Sequence, residues 1–61
     1  MKFKKGDLVK FTAASRKTNL WPISNAKGRV MGYNSKVLKL VRVKFGNIET
    51  VRTDCNFKLV D

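Results

Sequence analysis

Apolar and basic residues alternate along the middle of the chain. Val41, Val43 and Phe45 take one parity, whereas Arg42 and Lys44 take the other. Successive side chains of a strand point to opposite faces of a sheet. The pattern therefore predicts a strand with an apolar inner face and a basic outer face.

The same period, interrupted by turn residues, predicts four further short strands. A polar turn at residues 34–36 precedes the central strand, and a short turn at 53–56 precedes the last one. Residues 14–25 show neither helical nor strand periodicity, so we expect one long loop there. The predicted strands cover residues 8–13, 28–33, 37–45, a segment around Val51, and 57–60.

Two positions conflict with simple alternation. Leu38 and Leu40 have the opposite parity from the valines that follow, which predicts a bulge near Leu40 or burial on both faces.

The Gly-Asn pair at 46–47 is typical of a two-residue hairpin turn. That register would bury Arg52 without a partner, which is costly. We therefore expect a longer loop or a bulge that turns Val51 inward and Arg52 outward.

These elements predict an all-β fold, a small antiparallel barrel of five strands with one long first loop. Closure of a barrel would remove exposed strand edges. The length allows a single domain, residues 1–61. The core predicted from inward parity comprises Val9, Phe11, Val30, Val41, Val43, Val51, Phe57 and Leu59.

Charge narrows the range of partners. The chain has 14 Lys and Arg against 4 Asp and Glu, a formal net charge of +10. Such an excess repels itself in the folded state. A nucleic-acid backbone is its usual partner, because phosphate contacts release condensed counterions. High solubility and contact with anionic lipid are the alternative interpretations.

Short motifs over nearly the whole chain resemble the SH3-like small β-barrels, particularly the KOW-type branch. They are KGDLV at 5–9, GRV at 28–30, VRVKF at 41–45 and FKLV at 57–60. The resemblance implies a five-stranded SH3-like barrel. Many such barrels bind RNA, DNA, ribosomes or RNA polymerase, and others bind only proteins.

The composition argues against an enzyme. The chain has no histidine, so the commonest general base and metal ligand are missing. Cys55 is the single cysteine, which excludes an internal disulfide and argues against a zinc site. We expect no catalytic residue, no metal and no cofactor. The reducing cytoplasm fits this cysteine usage, and no segment is long enough to span a membrane.

The basic residues with outward parity form the candidate nucleic-acid interface. In a curled sheet they would gather into a stripe, although strands need polar outer residues in any case. An ordinary solvated face mixes charges of both signs, and this one has almost no acids. The stripe comprises Lys10, Arg29, Arg42, Lys44 and Arg52, extended from adjoining loops by Arg16, Lys17, Lys36 and Lys39.

Two aromatic residues are candidates for base stacking. Trp21 lies in the long loop and would otherwise fill one end of the barrel. Tyr33 ends the second strand on the side of Arg29 and Met31, and would otherwise pack at an edge. We interpret the chain as a non-catalytic nucleic-acid-binding protein with weak sequence specificity. The alternative is an adaptor that docks on a protein such as RNA polymerase or a ribosomal protein, with Met31 and residues 20–23 as its anchor.

Overall fold

The computed structural model describes residues 2–13 and 26–60, which fold into one antiparallel sheet. The strands lie side by side in the order β4-β3-β2-β1-β5. The predicted all-β fold is confirmed, whereas the predicted loop at 14–25 lies outside the described residues. The elements are β1 (Leu8–Phe11), β2 (Lys27–Ser35), β3 (Leu40–Phe45), β4 (Ile48–Thr53), a 3₁₀ turn (Asp54–Asn56) and β5 (Phe57–Leu59).

The core lies on one face of this sheet. Phe11 stacks on Phe45 with ring centroids 5.3 Å apart, and Phe57 lies 4.8 Å from Phe11. Phe3, from the segment before β1, and Phe45 are buried beside the predicted residues. Alternation correctly placed Val9, Phe11, Val30, Val41, Val43 and Phe57 in the core, each at most 1% exposed.

Gly28 allows β2 to lie close to the core. A Cβ atom at this position would lie 2.5 Å from Val43 Cγ1 and 2.7 Å from Phe45 Cε2. Real Cβ atoms essentially never approach other atoms so closely. Any larger residue here would displace two core side chains.

The third strand begins later than its apolar run predicted. Residues 36–39 form a turn, and Val37 and Leu38 are 90% and 64% exposed. The turn ends at Lys39, whose φ is +57°, and β3 starts at Leu40.

A register shift does lie beside Leu40, but the extra residue is in β2 and not in β3: Asn34 falls between the pairs Tyr33–Val41 and Ser35–Leu40. Leu40 keeps the parity opposite to Val41 and is half-buried. A second extra residue in β2 is Met31.

The fourth strand follows the simple hairpin register. Phe45 pairs with Ile48, and the register continues without a shift to Leu40 and Thr53. The expected bulge is therefore wrong. Val51 lies opposite Arg42 and is 44% exposed, so it is not a core residue.

Edge position explains why this register is tolerated. Arg52 lies opposite Val41 and shares its parity, yet it remains exposed because β4 has a neighbour on one side only. The burial cost assumed for Arg52 does not arise. Leu59, on the other edge strand, was also assigned to the core and is 52% exposed.

Candidate nucleic-acid interface

The face opposite the core is strongly basic. Its cations alternate with buried residues, as Lys10 does between Val9 and Phe11. This alternation directs the charged side chains away from the apolar interior. We define the outer face by the basic residues on it, namely Lys10, Lys27, Arg29, Arg42, Lys44 and Lys58.

Three lysines of the outer face come from three adjacent strands. Lys10 on β1 lies directly opposite Lys27 on β2 and opposite Lys58 on β5. Directly opposed Cβ atoms lie about 5 Å apart, and like charges at such positions destabilise a sheet. This lysine row (Lys58, Lys10, Lys27) therefore concentrates positive charge at a cost in stability.

A second row of paired charged residues begins two residues further along β2, at Arg29. Arg29 on β2 faces Lys44 on β3, and Lys44 faces Glu49 on β4. An acid thus enters this row only at the edge of the sheet. The positive charge is densest over β5, β1, β2 and β3, and it weakens toward β4.

The side chain of Arg29 is held by the turn at residues 5–6, which precedes β1. Its guanidinium Nη1 donates a hydrogen bond of 2.8 Å to the carbonyl oxygen of Gly6. The amide of Gly6 in turn donates to the carbonyl of Val30 at 2.8 Å. An arginine has five N–H donors, so Arg29 keeps donors for a phosphate while its position is restrained.

The structure places only part of the predicted site on this face. Lys10, Arg29, Arg42 and Lys44 lie there as predicted. Arg52 does not, because it has the parity of the core face. Three further candidates lie outside the described residues, namely Arg16, Lys17 and Trp21.

Lys27 and Lys58 belong to the outer face but were missed from the sequence. Lys58 lies between Phe57 and Leu59, and Lys27 precedes Gly28, so both carry the alternation signal. Their importance comes from being opposite Lys10. That pairing depends on strand order, which the alternation within a strand does not contain.

Lys36 and Lys39 lie in a separate cluster beside a pocket of about 400 Å³. Both belong to the turn at 36–39. The turn is tied to the 3₁₀ turn, since the amide of Asp54 donates to the carbonyl of Lys39 at 2.9 Å. The pocket is lined by Lys2, Tyr33, Lys36, Lys39 and Asp54.

Tyr33 faces the core side of the sheet, so its predicted outward position is wrong. It lies opposite Val41 and packs partly buried against the core. Its hydroxyl donates to Asp54 Oδ2 at 2.8 Å and accepts from the amide of Phe3 at 3.2 Å. Burial, together with the hydrogen bond to Asp54, raises the pKa of Tyr33. The extra residue at Met31 reversed the parity of Tyr33 on which the prediction depended.

Among residues 2–13 and 26–60, no three His, Cys, Asp or Glu side chains lie together as metal ligands would. None of its helices has the length and apolar character needed to cross a membrane. Cys55 is exposed and free.

The chain was also compared with known proteins and their structures. No protein-family model, curated protein or solved structure matches the chain.

Proposed function

We propose that this protein binds nucleic acid without catalysis, through phosphate contacts made by the outer face. The observation that carries the proposal is the lysine row. Lys10 lies between two other lysines on neighbouring strands, an arrangement that costs stability in the free protein. A polyanion lying across the strands would neutralise these lysine charges, and its binding would release condensed counterions.

Lysine chemistry sets the expected specificity. A lysine ammonium is a compact point charge, and it lacks the planar fork with which arginine reads guanine. Phosphate contacts fix register and orientation on a nucleic acid but carry no sequence information. We therefore infer weak sequence preference.

We also propose that the chain belongs with the SH3-like barrels of the KOW type. The five-stranded antiparallel sheet supports this, as does the 3₁₀ turn Asp54–Asn56 immediately before the last strand. A cytoplasmic location is part of the same proposal.

A protein-binding adaptor is the second candidate function. Met31 and Val51 are 39% and 44% exposed, and Val51 lies opposite Arg42. Exposed apolar side chains beside an arginine suit a protein contact. The predicted anchor at residues 20–23 lies outside the described residues.

The salt dependence of binding separates the two functions. About five phosphate contacts should give a log–log slope of affinity against salt near −3.5 to −4.5. Fluorescence anisotropy with labelled RNA and DNA oligomers, measured over a salt series, gives this slope. Affinity that ignores salt would favour the adaptor.

Lys58→Gln and Arg52→Gln form a matched pair for this test. Both side chains are exposed on edge strands, and each change removes one positive charge. Lys58→Gln should weaken binding to all sequences alike and flatten the slope by about 0.7–0.9. Arg52→Gln should have a smaller effect, because Arg52 lies off the outer face. Equal losses would show that total charge, and not this face, determines binding.

A further inference from the structure

The pocket beside the 36–39 turn has the charge of a phosphate-monoester site. Three lysines, Lys2, Lys36 and Lys39, line it together with one acid, Asp54, which gives the lining a formal net charge of +2. A phosphate monoester carries about −1.5 to −2 near neutral pH. A phosphodiester within a chain carries only −1 and is flanked by sugars on both sides.

Lys39 occupies a backbone position that lysine rarely adopts. Its φ is +57°, and it is the sole non-glycine with positive φ in residues 2–13 and 26–60. Glycine or asparagine would be less strained there. The hydrogen bond from the Asp54 amide to the Lys39 carbonyl, 2.9 Å, holds this conformation. Backbone strain at a residue whose side chain lines a pocket points to a use for that side chain.

One wall of the pocket, formed by Tyr33 and Asp54, is held by hydrogen bonds in the free protein. Tyr33 is clamped by Asp54 and by the amide of Phe3. The ammonium of Lys2 lies 5.4 Å from the centroid of the buried Phe3 ring, within the range of a cation–π contact. A preformed pocket lowers the entropic cost of binding a small group.

We propose that this pocket binds a terminal phosphate monoester, with Lys2, Lys36 and Lys39 as its ligands. The inference rests on the proposed function, in which the outer face binds the continuous backbone and the pocket receives the phosphorylated end of a strand. The same chemistry would accept the phosphate of a free nucleotide. The exposed Val37 and Leu38 between the two turn lysines offer apolar surface for the adjoining sugar or base.

The test compares otherwise identical oligomers with a hydroxyl or a phosphate at the 5′ end, and likewise at the 3′ end. Anisotropy titrations at fixed ionic strength should show about fivefold tighter binding of a phosphorylated oligomer, given the modest strength of exposed ion pairs. Lys39→Gly should reduce this preference below about twofold, because it removes one of the three cations. Glycine accepts the positive φ, so thermal stability should be kept or raised.

Lys58→Gln is the matched control, since it also removes one charge but lies on the outer face. It should weaken binding to both oligomers and keep the preference for the phosphorylated one. Equal affinity of the parent for both oligomers would overturn the pocket inference and leave the proposed function standing. The same preference in Lys39→Gly as in the parent would also overturn it.

A nucleoside monophosphate, titrated by NMR, separates the two sources of phosphate. Suppose that no oligomer binds, so that the proposed function fails. The pocket still stands if the nucleotide shifts the amides of Lys36 and Lys39 in the parent, and shifts that of Lys36 far less in Lys39→Gly. Absence of both oligomer binding and these shifts overturns the two proposals together.

Discussion

At the scale of single residues, Tyr33 joins the sheet to two other parts of the chain. Its hydroxyl bonds Asp54 in the 3₁₀ turn and the amide of Phe3 in the N-terminal segment. The sequence pattern suggested an exposed stacking ring, for which loss of the hydroxyl would be silent. The structure assigns the hydroxyl a structural role instead.

Tyr33→Phe should therefore destabilise the protein. Removal of the hydroxyl leaves Asp54, which is only 8% exposed, without the donor to its Oδ2 atom. Loss of a partner from a buried polar group costs about 1–3 kcal/mol. Chemical denaturation of the parent and the variant measures this difference. Equal stabilities would show that these hydrogen bonds contribute nothing to the free energy of unfolding.

The raised pKa of Tyr33 predicts sensitivity to alkali. A folded pKa above the unfolded value of 10.0 means that the folded state holds this proton more tightly. The resulting stability is fully present below pH 10 and is lost as the pH rises through the folded pKa. Tyr33 is the single tyrosine, so tyrosinate absorbance reports its titration directly. Tyr33→Phe should unfold with a weaker dependence on alkaline pH, and a pKa at or below 10 in the parent would contradict the prediction.

Gly28 is a second residue whose role depends on the packing around it. Gly28→Ala should destabilise the fold by about 1–3 kcal/mol, the usual cost of overpacking a core. The added methyl would meet Val43 Cγ1 at 2.5 Å and the Phe45 ring. Val43→Ala, itself destabilising through a cavity, should remove part of this clash. A double-mutant cycle with a coupling energy of zero would argue against direct contact between the two positions.

At the scale of elements, the lysine row lowers the stability of the free protein and, in the proposed function, favours nucleic-acid binding. Lys10→Gln should raise the free energy of unfolding at low salt by about 0.2–1 kcal/mol, because it removes two directly opposed like-charge pairs. The gain should shrink at high salt, where exposed charges are screened. The same change should weaken nucleic-acid binding.

Lys44→Gln is the control for this prediction. Lys44 faces Arg29 on one side and Glu49 on the other, so its removal relieves one repulsion and loses one attraction. Its effect on stability should be close to zero. Thermal unfolding of the two variants at low and high salt measures the contrast, and equal effects would show that the register of charges does not matter.

At the scale of the whole molecule, a net charge of +10 on 61 residues predicts opposite responses to salt. Added salt should raise the melting temperature of the free protein by screening self-repulsion. The further stabilisation by a saturating oligomer should fall over the same salt range, because counterion release drives binding. Thermal shift assays with and without oligomer give both trends, and a free protein insensitive to salt would argue that the charges are too widely spread to repel.

Local alternation was sufficient to predict most of the core, because the two-residue period of a strand is a property of its own backbone. It therefore placed Val9, Phe11, Val30, Val41, Val43 and Phe57 inside, and Lys10, Arg29, Arg42 and Lys44 outside. The net charge was likewise readable from composition alone. These properties require no knowledge of which strands are neighbours.

The tertiary structure decided what depends on neighbours. Val51 is exposed because the register of β4 places it opposite Arg42 on the outer face. Arg52 shares the core-side parity of Val41 but stays exposed because β4 is an edge strand, and burial requires covering atoms that an edge lacks. Tyr33 turned inward because β2 contains one extra residue, Met31, between Val30 and Tyr33 that β3 does not match. Lys10 and Lys58 lie opposite each other because β5 pairs with β1 from the far end of the chain. Strand order and register result from the packing of the whole core, so no single stretch of sequence contains them.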